Sequence, residues 1–495
     1  MKQPIYVGLD IGTTAIKISA VTQQLEAVYE VQYAYNYRTP CKGWTEINPD
    51  TWVDIVLEGL KELLQHIPAK KIAGIGITGQ MHTIVFVDQQ GESVRPAILW
   101  NDNRTKEAIP MIKQQLQKKE QTAHLSQVVS PGSPLASLLW VKENEPENYN
   151  QIAKILIAKD YVKLKLTGTY TTDYCDASTS SMYNLYTDTW SKEVQQLFDF
   201  DPQLFPEIKP ASTIVGCLTP NVCEILEIDT KIPVIAGTGD NVAAALVSRS
   251  FEENQPLISL GTSGVVVIPD QTHCLKPKGK NVVAKITETD NAIITQGTVQ
   301  AGAKVNSWWM EKILHTTEYS KEQKQIEDNL LGKNDVQFFP HMNGEKTLFA
   351  NPMLRGAFVG LSLETTREEM YLAVLEGVAF GIRQLFEAMR NKQQPEYFTI
   401  VGGGAQSELW IKIICNVLGY PIKRIVSSQE AVHGAAILAI IGVEGSFSFL
   451  DNEYQMVYPK QLLCKSYEDC YQRYIKLVQM FLSAGGAENG RMSDL

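Results

Sequence analysis

Ile5-Tyr6-Val7-Gly8-Leu9-Asp10-Ile11-Gly12-Thr13-Thr14-Ala15-Ile16-Lys17-Ile18-Ser19-Ala20-Val21 is the stretch from which the fold is read. Two β-rich runs, 5–9 and 15–21, are joined by the five residues Asp10 to Thr14, a length and a glycine that predict a hairpin. The pattern returns at Leu257-Ile258-Ser259-Leu260-Gly261-Thr262-Ser263-Gly264-Val265-Val266-Val267-Ile268. Setting Gly12-Thr13 on Gly261-Thr262 gives an offset of 249 residues, half of the 495-residue chain. Two copies half a chain apart predict two similar α/β domains with a cleft between them. Further strands are expected at 27–35, 72–78 and 83–87. Between the first two, 49–65 has helical spacing through Trp52, Ile55, Val56, Leu60, Leu63 and Leu64. The polar stretch 248–256, ending in Pro256, is the natural boundary, giving domains 1–249 and 250–482. Residues 483–495, rich in Gly, Ala, Ser and Asn, are expected to fray.

Composition narrows the classes. Hydrophobic residues make up 44% and charged residues 20%, the balance of an ordinary globular protein, and the net charge is −10. A field of that sign does not attract nucleic acid or anionic lipid. The eight cysteines include no CxxC pair, which argues against structural zinc and a redox dithiol. They read as buried free thiols of a reducing compartment. The chain starts with no apolar signal core, and its most apolar later stretch, 434–443, is half the length of a membrane span. A cytoplasmic protein is expected.

A glycine in a turn lets backbone N–H groups approach an anion, and a threonine adds a neutral donor. One such turn is what any hairpin needs; two in matching positions fit phosphates held from both sides. Neither a GxxxxGK[ST] run nor a GxGxxG opening a helix is present. Asp10, beside the first turn, is a hard oxygen ligand suited to Mg²⁺, or a cap of its own turn. Gln80-Met81-His82 at a strand end, and Trp100-Asn101 soon after, supply polar groups at a cleft edge. In Gly237-Thr238-Gly239-Asp240-Asn241 the aspartate stands between a Gly-rich turn and a helix start, placed for chemistry or for an N-cap. Gly402-Gly403-Gly404 joins a strand at 397–401 to a helix at 407–418. Helical 434–440 reads as small-residue packing, and 111–121 as a solvated helix face.

In this order, with Ser259-Leu260-Gly261-Thr262-Ser263-Gly264 and Gly402-Gly403-Gly404-Ala405, the motifs resemble the FGGY carbohydrate kinases from about residue 4 to about residue 480. Within that family the chain is similar above all to the xylulokinases. The resemblance implies two ribonuclease-H-like domains of the actin and hexokinase type closing on sugar and ATP. It implies Asp240 as general base and Asp10 as the Mg²⁺ carboxylate. Gln80, Met81, His82, Trp100, Asn101, Asp240 and Asn241 would line the sugar site. Gly12, Thr13, Thr14, Gly261, Thr262 and Ser263 would hold phosphates, and Gly402, Gly403, Gly404 and Ala405 the adenosine. The implied reaction is phosphorylation of a ketopentose, D-xylulose to D-xylulose 5-phosphate. The implied partners are the ketose and ATP, without nucleic acid or membrane, in a homodimer. Another sugar of the family, such as gluconate or ribulose, is the alternative. An actin-like ATPase without sugar transfer is the alternative of another class. Two departures bear on the sugar: Thr83 stands where xylulokinases usually have Gly, and Gly344-Glu345-Lys346-Thr347-Leu348-Phe349 replaces their Gly-Glu-Arg-Thr-Pro-His.

Overall fold

The computed structural model describes residues 3–270, 278–290, 292–300, 302–342, 344–345, 347–349, 351, 354–390, 394–425, 430–449 and 454–488. The opening hairpin forms as β1 (Ile5–Ile11) and β2 (Ala15–Thr22), and β3 (Ala27–Ala34) continues the meander. Helix α1 (Asp50–His66) buries Trp52, Val56, Leu60 and Leu63, spaced to make one stripe, in a cluster shared with Val7, Leu9 and Ile11 of β1. The chain then returns as β4 (Ile72–Gly79), parallel to β1. An insertion follows, with helix α2 (Tyr174–Thr179) and three short strands that form a four-stranded sheet with Glu46–Ile47 from before α1. The first sheet is completed by β5 (Ile214–Cys217), β6 (Pro233–Ile235) and the short β7 (Thr238–Gly239), the last beside the end of β4. Helix α3 (Asp240–Val247) starts at once.

The second half repeats this plan with β8 (Leu257–Leu260), β9 (Gly264–Asp270), β10 (Lys280–Ala284), β11 (Ala292–Val299), the helices α4 (Gly302–Trp308) and α5 (Arg367–Met389), and then β12 (Phe398–Val401). Helix α6 (Glu408–Leu418), β13 (Ile422–Ile425), α7 (Ala431–Glu444), β14 (Tyr454–Val457) and α8 (Gln461–Glu488) finish it. The first sheet runs β5-β6-β4-β1-β2-β3 with β7 beside β4, and the second β14-β13-β12-β8-β9-β11-β10; among the described residues six strands correspond in order, and β10 is the second sheet's extra strand as β7 is the first's. Strand directions match as well. β8 pairs antiparallel with β9 and parallel with β12, as β1 does with β2 and β4.

The halves are sutured by α7. It belongs by sequence to the second half but lies on the first sheet. A Cβ on Gly8 of β1 would sit 2.0 Å from the Val432 carbonyl, and one on Gly76 of β4 only 1.7 Å from that of Ala435. Gly434 of α7 is as close to α3, where a Cβ would come within 2.3 Å of the Ala243 carbonyl. Tyr6, Ile235 and Ala245 therefore share one core cluster with Val267, Val282 and Ile437.

Several expectations need correction. Asp10 and Ile11 belong to β1 rather than to the turn, because a central strand offers them partners on both sides: Lys17 and Ile16 on β2, Thr78 and Gly79 on β4. The link is therefore only Gly12-Thr13-Thr14. The helix expected over 111–121 ends at Leu116 and restarts at Glu120. In the boundary segment, Ser250–Glu253 is a helical turn with Ser248 and Ser250 buried. Helix α8 runs to Glu488, into the segment expected to fray, and 489–495 lie outside the described residues. Cys41 and Cys217 are exposed, not buried, and Cys274 lies outside the described residues.

The suture gives a stability prediction. Gly76→Ala forces a methyl into the Ala435 carbonyl and should cost about 3 kcal/mol or more. Gly403→Ala, where nothing lies within 4 Å of the added Cβ, should stay within about 0.5 kcal/mol of the parent. Urea midpoints of the two variants check this; similar midpoints would contradict the packing assigned to α7.

Candidate active site

Asp10 is the penultimate residue of the central strand β1, beside the Gly12-Thr13-Thr14 turn. Its Oδ1 is buried and accepts no hydrogen bond from the protein. Burial raises its pKa from the ordinary carboxylate range to about 6, with Lys17 on β2 pulling the other way. Lys17 is itself paired with Glu430, just before α7. Asp240 begins α3, and Gly239 rather than Asp240 is the N-cap. Its Oδ1 accepts from the adjacent Asn241 N–H at 2.7 Å. Burial, and next the negative charge of Asp10, raise the Asp240 pKa to about 7. Both residues keep some access to solvent, so the desolvation comes from the dense protein packed around the carboxylates. The two carboxylates, 230 positions apart in the chain, sense each other's charge.

Buried charge holds the Asp240 turn in place. Thr238 donates its hydroxyl to Asp173 at 2.9 Å, and its carbonyl accepts from Thr78 at 2.7 Å. Asp173 caps α2 and, with Asp160 and Asp176, surrounds the fully buried Lys159 ammonium at 2.6–3.1 Å. Lys163 bonds Asp160 and the Ala236 carbonyl. Isolated Lys and Asp residues carry no spacing signal, so this cluster emerges only from the fold.

Around the first turn the expected residues converge. The Gly12 carbonyl accepts from Tyr35 and from Gln80 Nε2, the latter at 3.2 Å. The Gln80 Oε1 accepts from Thr83 at 2.9 Å. Thr83 in turn accepts from the Trp100 N–H at 3.2 Å, and the Trp100 indole donates to Thr13 Oγ1 at 3.0 Å. Thr83, the first departure, is thus a link between the strand-end loop and the Gly12 turn that a glycine does not provide. Gln80, expected in the sugar site, is 2% exposed with its amide engaged, so it braces the turn instead. Asn101 likewise turns toward Thr45, from whose hydroxyl it accepts at 2.9 Å. Met81 is packed under Gly239 and accepts weakly from Asn241 Nδ2 at 3.6 Å. His82 has a left-handed backbone, φ 68°, and its Nε2 meets the Lys280 ammonium of β10 at 3.1 Å.

In the second half, the Gly261 and Thr262 carbonyls accept from the Ala303 and Lys304 N–H groups at 2.8 and 3.2 Å. The second turn therefore rests on the start of α4, a support absent from the sequence reading. Gly402, at φ 96°, and Gly404 are packed on Leu260, while Gly261 and Gly403 have no atom within 4 Å of a built Cβ. Backbone at Gly261 and Gly403 is thus open to a ligand. Ala405, expected against adenosine, points into the core at 2% exposure and closes the turn through its N–H to Gly402. In the second departure, the buried Glu345 carboxylate accepts from the N–H groups of Thr347, Leu348 and Phe349 at 2.6–2.9 Å, and Lys346 lies outside the described residues.

Among the described residues no three His, Cys, Asp or Glu side chains form a metal cluster, and no helix is long and apolar enough to cross a membrane. Residues 5–247 match the N-terminal domain and 257–443 the C-terminal domain of the FGGY family of carbohydrate kinases. The xylulose kinase of Staphylococcus xylosus is 32% identical over 476 residues, 94% of this chain and 98% of that one. The gluconokinase of Bacillus licheniformis is 25% identical over 97% of this chain and 95% of its own. The crystal structure of a xyloylose kinase from Brucella ovis superposes with a TM-score of 0.88 at 28% identity, covering 97% of this chain and all of that one.

Raised carboxylate pKa values make a stability prediction. Asp240 titrates at about 7 in the fold against about 3.9 unfolded, so its stabilising form is the protonated one. That contribution is complete below about pH 4 and is lost as pH rises through about 7. Asp240→Asn should therefore denature at a higher temperature than the parent at pH 8 and at the same temperature near pH 4. Equal midpoints at pH 8 would show that the site exerts no such strain.

Proposed function

We propose that this chain, which belongs to the FGGY carbohydrate kinases and is an ATP-dependent sugar kinase of the actin and hexokinase type, acts on D-xylulose. It transfers the γ-phosphoryl group of ATP to the 5-hydroxyl, giving D-xylulose 5-phosphate and ADP. The xylulose kinase relatives at 32% and 28% identity support this choice of sugar. The gluconokinase relative favours a second reading, phosphorylation of a sugar acid.

The observation that carries the chemistry is the pair of buried carboxylates Asp10 and Asp240, close enough for the charge of one to raise the pKa of the other. Phosphoryl transfer passes through a loose transition state, so positioning and charge stabilisation supply most of the acceleration. Asp240 has a pKa near the working pH and one oxygen beyond its bond to Asn241, which suits it to take the hydroxyl proton as charge develops on that oxygen. Asp10, with a buried oxygen lacking a partner, fits Mg²⁺, which takes one or two carboxylates together with phosphate oxygens and water. When bound, the ion neutralises charge on the phosphates. Gly12-Thr13-Thr14 and Gly261-Thr262-Ser263 offer backbone and hydroxyl donors to the phosphates from the two halves, and the open backbone at Gly403 offers a surface to adenosine. Met81, His82, Trp100 and Asn241 remain as sugar-facing residues. The same reading puts the enzyme in the cytoplasm, where ATP and reduced thiols coexist.

Asp240→Ala should lower kcat by about 10²- to 10⁴-fold while D-xylulose still binds in calorimetry. In the parent, kcat/KM should fall about tenfold per pH unit below about 7, as Asp240 takes up a proton. A panel of pentuloses, hexuloses and sugar acids with ATP and Mg²⁺ identifies the sugar. Near-parental turnover in Asp240→Ala would refute the base, and preference for gluconate would refute the ketose.

A further inference from the structure

The extra strand of the second sheet, β10, does not stay within its own half. Val283 donates its N–H to Ser178 of α2 at 3.0 Å. Just beyond β10, the carbonyls of Lys285 and Ile286 each accept from the first half at 2.9 Å, from Ala211 and Ser212 N–H, and the Lys285 ammonium lies 4.9 Å from the centre of the Tyr174 ring. On the strand's other face, Val282 and Ala284 are buried in the core cluster shared by both halves. β10 is therefore an anchored strap. Its first residue, Lys280, lies on the face of Val282 and Ala284 and reaches His82 Nε2 at 3.1 Å.

That contact fixes more than distance. An ammonium has only donors, so His82 Nε2 must accept, and the neutral ring carries its proton on Nδ1. The backbone of His82 is left-handed, uncommon for a non-glycine residue, and the Lys280 contact is one of the interactions that define the side chain's place there. We propose that Lys280 is a positioning residue of the sugar site, supplied by the second half and acting through His82, which it holds in one orientation and one tautomer. This rests on the reading of Met81-His82 as sugar-facing. It makes the sugar site a joint product of both halves, with a cationic group fixed behind the histidine and selection for oxygen-rich ligands that accept a hydrogen bond from the ring.

A double-mutant cycle tests the inference. Lys280→Met should raise KM for D-xylulose about tenfold or more, the scale of a lost hydrogen bond to a charged group, with kcat and the KM for ATP within about threefold. Lys280→Arg, which keeps a cationic donor, should recover most of the loss. His82→Asn should raise KM by itself, and the double variant should be no worse than His82→Asn alone. Parental sugar KM in Lys280→Met, or effects that multiply in the double variant, would overturn the role. Lys280→Gln provides a second truncation if the methionine variant does not fold. If the parent fails to phosphorylate D-xylulose, only the sugar assignment falls, and the cycle is run with the panel sugar it accepts.

Discussion

The architecture depends on a backbone-to-backbone contact that leaves no room for a single methyl group. Helix α7 comes from the second half of the chain and is pressed onto β1 and β4 of the first sheet at Gly8 and Gly76, and onto α3 at Gly434. Of these, β1 carries Asp10 next to its last residue, β4 opens into the Gln80-Met81-His82 loop and α3 begins at Asp240. One helix thus sets the relative positions of the proposed metal carboxylate, the proposed sugar loop and the proposed base. A side chain at any of the three glycines would separate layers whose spacing the site requires.

Two carboxylates brought together in a partly dehydrated cleft are unfavourable for the empty protein, and both pKa values rise accordingly. Strain of this kind is commonly kept where chemistry needs it. Here it leaves one oxygen ready for a cation and one ready for a proton. The buried Lys159 cluster and the Thr78–Thr238 bond hold the strained turn from below, and the Gln80–Thr83–Trp100–Thr13 chain ties the Gln80-Met81-His82 loop to the Gly12-Thr13 turn.

Much of this was legible in the sequence. The repeated hairpin announced the duplicated sheet, because β-rich runs around a glycine-threonine turn are a local signal and local signals survive in sequence. The glycines of 402–404 and the Gly239-Asp240 junction were visible for the same reason. What was not legible is long-range. Residues 434–440 announced tight packing but not its partner, since small residues state the distance and not the neighbour. Gln80 and Asn101 were expected to face the ligand, and only the fold shows that Tyr35, Thr83 and Thr45 engage them first. A single lysine on a strand, Lys280, has no pattern at all.

In the proposed reaction the two halves grip ATP's terminal phosphates while Asp240 takes a proton from the sugar. A crystal structure with D-xylulose, Mg²⁺ and a non-hydrolysable ATP analogue tests it most directly. The account requires the sugar's 5-hydroxyl within hydrogen-bond distance of Asp240 and the γ-phosphate between the Gly12 and Gly261 turns. A sugar bound away from Asp240, or phosphates held by one turn alone, would contradict it.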